Sequence, residues 1–69
     1  MKTAKMKEFS VGQRVAWLHE GQTGRAFSGR IVAIRGFSAS IVVDGVEQRC
    51  DEREIGQHWG ISLDRLQAQ

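Results

Sequence analysis

The sequence predicts a small all-β barrel of four to five antiparallel strands, closed by a short helical turn near the C-terminus. Three observations carry that prediction. Short apolar runs recur between glycines along the chain, the pair Asp44-Gly45 stands between Val43 and Val46, and neither proline nor a heptad pattern appears. Glycine-bounded apolar runs are the pattern of short strands. An Asp-Gly pair supplies the positive φ angles of a two-residue hairpin turn.

Residues 14–19, RVAWLH, form the first strand, with Val15 and Trp17 on one face and Ala16 and Leu18 on the other. The stretch GQTGRAFSGR that follows reads as a long surface loop turned by its glycines. Residues 30–35 and 39–43 are the second and third strands, and Arg35-Gly36-Phe37-Ser38 forms the tip between them. Asp44-Gly45 then turns the chain into a fourth strand over residues 46–50. Residues 51–57 fit a loop or a helical turn, residues 58–62 a fifth strand, and SLDRL one helical turn capped by Ser62. Residues 1–8 are a flexible basic leader, and residues 9–69 the barrel domain. Closing the sheet would remove the exposed edges that make short β proteins associate.

At 69 residues the chain has one domain and one modest core. Domains of this size bury only about 60 % of their unfolded surface. One cysteine, Cys50, excludes an internal disulfide, and no cysteine–histidine cluster offers structural zinc. Apolar residues lie on both faces of residues 30–35 and 39–43: Ile31 and Ala33 oppose Val32 and Ile34, and Ile41 and Val43 oppose Val42. Marginal size and two-sided apolarity together predict a homo-oligomer. No run approaches the roughly 20 apolar residues of a membrane span, and no signal-peptide core opens the sequence, so a cytoplasmic address without membrane contact is expected.

The formal charge of +2 resides in the leader, where Lys2, Lys5 and Lys7 outnumber Glu8. The remaining seven arginines and seven acids balance. They are segregated, however: residues 21–43 hold Arg25, Arg30 and Arg35 with no acid, and residues 44–54 hold five acids. A balanced body argues against general nucleic-acid binding, whereas a basic face remains compatible with it.

The stretches FSVGQRVAW, GRIVAI and ISLDRL together resemble SH3-like barrels of the Tudor and KOW type found in small bacterial proteins. In those barrels a glycine leads into a Gly-x-x-Val-x-Trp strand and a second glycine opens the next. The resemblance covers residues 9–66 and implies a binding module, of bacterial or mobile-element type, for nucleic acid, modified peptides or proteins. The layout is also similar to the barrel of type II dihydrofolate reductase. That family's Val-Gln-Ile-Tyr pore motif has no counterpart, the nearest position reading VEQRC, so reductase activity is not expected.

No catalytic constellation is legible. His19, His58 and Cys50 have no recognisable triad or metal spacing, and Cys50 reads as a small buried hydrophobe. The run DEREIG lacks the oxygen-ligand rhythm of a calcium loop and reads as a solvated turn, or as an acidic contact patch. No phosphate-binding loop is present. The expectation is therefore a non-enzymatic module without cofactor or metal, with Arg25, Phe27, Arg30, Arg35 and Phe37 as the ligand-binding set. On adjoining loops, two phenylalanines would stack bases or apolar groups while arginines meet phosphates or carboxylates. The competing role for each phenylalanine is a core plug. Nucleic acid is the first expected partner. The alternative is a protein-binding adaptor or inhibitor using the apolar strand faces and the acidic turn.

Overall fold

The computed structural model describes residues 8–19 and 24–69, which form one antiparallel sheet with two short 3-10 turns. The strands are β1 (Arg14–Leu18), β2 (Ala26–Arg35), β3 (Ser38–Val46), β4 (His58–Ser62) and β5 (Gln67–Ala68). They are ordered β4-β3-β2-β1-β5. The 3-10 turns span Arg49–Glu54 and Leu63–Arg65. The small all-β class holds, but β4 and β5 are both edges, so hydrogen bonds do not close the sheet. Of the expected flexible leader, residues 1–8, all but Glu8 lie outside the described residues.

Two bulges in the β2–β3 hairpin explain the apolar residues on both faces. Ile31 pairs with Ile41 and Ala33 with Ser40, which leaves Val32 as an extra residue. An extra residue shifts the side-chain phase by one. Ile31 and Ile34, three apart, therefore both pack toward the core, while Val32 is 43 % exposed. The same shift occurs at Asp44, between the pairs Ser28–Gly45 and Gly29–Val43, so Val43 and Val46 both face inward. Most of the apolar surplus is thus folded into the monomer's own core.

The second bulge overturns the Asp44-Gly45 turn. Gly45 lies inside β3 opposite Ser28, and its φ is not positive. Asp44 is held in the bulge by Arg14, whose Nη2 donates to Oδ1 at 2.9 Å, and by the Ser28 hydroxyl at 3.4 Å. The separate strand expected over residues 46–50 does not form: Val46 ends β3, and residues 47–50 lie outside any strand. The chain turns instead through Arg49–Glu54 and Gly56, whose φ of 96° suits glycine alone. The hairpin tip falls where expected, with Arg35 opposite Ser38 and Gly36 at φ 57°. Ser62 precedes the second 3-10 turn without capping it through its side chain.

β2 starts earlier than the sequence implies. Residues 26–29 pair with β1 through Trp17–Phe27 and Leu18–Ala26 rather than forming a loop. Phe27 is consequently 1 % exposed and belongs to the core with Val15, Trp17, Ile31, Ile41 and Leu66. Gly29 permits the closest backbone approach, since a Cβ there would run into the Val42 carbonyl.

Candidate functional site: an aromatic groove at the sheet opening

β1 and β4 are not hydrogen-bonded, yet the curl of the sheet brings their aromatic residues together. Trp17 and Trp59 have ring centroids 6.0 Å apart, and Phe27 lies 4.7 Å from Trp59. His19 approaches Phe27 at 5.8 Å and Trp59 at 5.9 Å. Strand alternation accounts for each position. Trp17 shares the inner face with Val15, Phe27 stands opposite Trp17, and Trp59 shares its face with Ile61.

A groove of about 350 Å³ opens over this cluster, lined by Trp17, His19, Trp59, Gly60, Ile61 and Arg65. Trp17 and Arg65 also line a neighbouring compartment of about 450 Å³ with Ala16, Leu18, Ala26 and Gln67. Arg65 is fixed between them, its Nη2 donating to the Leu18 carbonyl at 2.7 Å. Trp17 is 3 % exposed, and its indole Nε1 has no acceptor among the described residues. A buried donor left unpaired costs about 1–3 kcal/mol. Trp59 Nε1, by contrast, makes a long bond to Gln57 Oε1 at 3.5 Å. Among the described residues no carboxylate lines either compartment. The buried Trp17 N–H is closed to a ligand, so the groove offers the partly exposed Trp59 and His19 rings and the donors of Arg65.

The five residues expected to bind ligand do not form one surface. Arg25 and Phe27 sit at the start of β2, while Arg35 and Phe37 lie at and just beyond its end. The strand β2 runs between the two pairs and sets them at its opposite ends. Phe27 is a core plug whose edge meets the groove cluster. Arg25 forms a paired contact with Asp51, Nη2 to Oδ1 at 2.8 Å and Nε to Oδ2 at 3.2 Å, and its guanidinium lies 5.9 Å from the Phe27 ring centroid. The hydrogen bond to Asp51 pushes the Arg25 pKa above the ordinary arginine value. Arg30 Nη1 donates to the Gly12 carbonyl at 2.9 Å. The expected exposure holds at the tip, where Phe37 is 75 % exposed and Arg35 is at the surface, and it holds for Arg30 as well.

The acidic turn is also redefined. Asp51 is only 5 % exposed, so this part of DEREIG is an internal anchor for Arg25 rather than a solvated turn. Cys50 is exposed, not buried. Among the described residues no group of three or more histidine, cysteine or acidic side chains could hold a metal ion, and no helix is long and apolar enough to cross a membrane. His19, Trp59 and Arg65 were outside the expected binding set. Alternation places Trp59 on the face of Ile61, but its meeting with Trp17 depends on the curl of the sheet. No protein-family model matches this chain, and comparison with curated proteins and with solved structures gives no match.

Proposed function

We propose that this chain is a non-catalytic binding module of the SH3-like barrel type that takes single-stranded nucleic acid in its aromatic groove. The observation that carries the reading is the partly exposed Trp59 ring beside His19 and an exposed Arg65, in a lining without carboxylates among the described residues. An unstacked base brings both a π-face and carbonyl acceptors. Stacking on an aromatic side chain is worth about 1–3 kcal/mol per base. The Arg65 guanidinium has donors beyond the one given to Leu18, and these suit a phosphate oxygen. Lys2, Lys5 and Lys7 add a charge-based contribution that requires no fixed geometry.

Titration of tryptophan fluorescence with mixed single-stranded and duplex oligonucleotides, repeated across salt concentrations, tests this reading. Single strands are expected to quench, with affinity falling by a log–log slope of about −0.7 per phosphate contact. Trp59→Ala should weaken binding at least tenfold, equal to about 1.4 kcal/mol. An absence of quenching and of binding at low salt overturns the nucleic-acid reading.

One observation favours a second reading, the protein-binding adaptor. Phe37 projects from the hairpin tip beside Ser62, Leu63 and Asp64, in a surface recess of about 320 Å³. An exposed aromatic over a shallow recess suits a protein anchor. Under this reading Phe37→Ala abolishes partner capture while Trp59→Ala does not.

A further inference from the structure

We propose that the free edge of β4 pairs with β4 of a second copy of this chain, antiparallel about a two-fold axis through Gly60. β4 is bonded to β3 on one side only. At the two ends of that ladder Leu63 N donates to Phe37 O and Val43 N to Gln57 O. Antiparallel ladders alternate, so the main-chain groups of Trp59 and Ile61 face β3. Those of His58, Gly60 and Ser62 face outward, and all three residues are exposed.

Natural sheet edges are blunted by charge, proline, a bulge or shortness. β5, the other edge, has two residues. β4 has five, reads HWGIS without an acidic or basic side chain other than histidine, and runs in unbroken register from Ser38–Ser62 to Val42–His58. Charge, proline, a bulge and shortness therefore do not protect it among the described residues.

The occupant is a second copy because the strand complements itself. A two-fold at Gly60 sets Gly60 against Gly60 and His58 against Ser62, so no like charges oppose. Trp59 and Ile61 fall opposite one another on the inner face, which continues the apolar surface across the axis. A Cβ at Gly60 would meet nothing within 4 Å, so a side chain can be placed there without disturbing the monomer. Gly60 also lines the aromatic groove, and the second strand would form the groove's open side. The pairing stands independently of the nucleic-acid reading.

Sedimentation of the full chain, without nucleic acid, tests it. The wild type is expected to sediment as a dimer at high concentration, and Gly60→Lys and Gly60→Glu each as folded monomers. Both substitutions place like charges face to face only in the dimer, because the site is open in the monomer. An equimolar mixture of the two should recover the dimer mass. A monomeric wild type, or a Gly60→Lys variant that remains dimeric, overturns the proposal. A mixture that stays monomeric overturns the register at Gly60.

Discussion

Phe27 and Phe37, ten positions apart, separate two roles that the sequence left equal. Phe27 is sealed between Trp17 and Trp59, and its truncation should cost about 3–5 kcal/mol in chemical denaturation. Phe37→Ala should change stability by no more than about 0.5 kcal/mol, because its ring is mostly in water. Equal losses at the two positions would contradict their assigned environments. Arg25 and Asp51 make a second residue-scale test. Asp51 is buried and Arg25 is its partner, so Arg25→Leu strands an internal carboxylate and should lower the melting temperature more than the paired change Arg25→Leu/Asp51→Leu. Arg25 is charged under all ordinary conditions, and because the Asp51 contact raises its pKa, the contribution of that contact is complete below the usual arginine range and lost only above it. A single variant as stable as the double would show that the contact carries no energetic coupling.

At the scale of elements, the informative failure is Asp44-Gly45. A hairpin turn and a β-bulge draw on the same residue types, and only the partner strand decides between them. Here Arg14 and Ser28 capture the Asp44 carboxylate and keep β3 running to Val46. Gly45 is needed for space rather than for a positive φ, because an added Cβ would press on the Ser28 hydroxyl, which can rotate away at the cost of its bond to Asp44. Gly45→Ala should therefore cost less than Gly29→Ala, where the obstacle is the rigid Val42 carbonyl. Overpacking of the second kind costs typically about 1–3 kcal/mol. Urea unfolding of both variants gives the order, and a costlier Gly45→Ala would indicate that Ser28 cannot move. The second half of β2, most of β3 and all of β4 were legible because their runs are apolar and end at turn residues. The start of β2 was not. Ala26, Phe27 and Ser28 sit in a glycine-rich stretch, and only pairing with β1 makes them a strand. The aromatic groove was hidden for a related reason: Trp17 and Trp59 lie 42 positions apart on strands that never bond to one another.

For the molecule as a whole, the open sheet raises the question of what covers the gap between its edges. Hydrogen bonds do not, so side chains must, and the residues at that place in the chain are Leu63 and Leu66, flanking Arg65. Leu66 lies between the second 3-10 turn and β5, is fully buried, and joins the core cluster with Val15 and Trp17. It thus connects the chain's last segment to the first strand, a link reinforced when Arg65 donates to the Leu18 carbonyl. A chain of this length has roughly 3–10 kcal/mol of total stability at about 0.05–0.15 kcal/mol per residue. Leu66→Ala removes about 2–5 kcal/mol by transfer and cavity terms, a large share of that total. Leu18→Ala, at a half-exposed site on the same strand pair, should cost well under half as much. Urea titration followed by tryptophan fluorescence measures both, because Trp17 and Trp59 stand at the opening and report its loss directly. A Leu66→Ala variant no weaker than Leu18→Ala would mean that the gap is held elsewhere. A steep loss would identify this side-chain clasp, rather than ladder closure, as what keeps five short strands folded around one core.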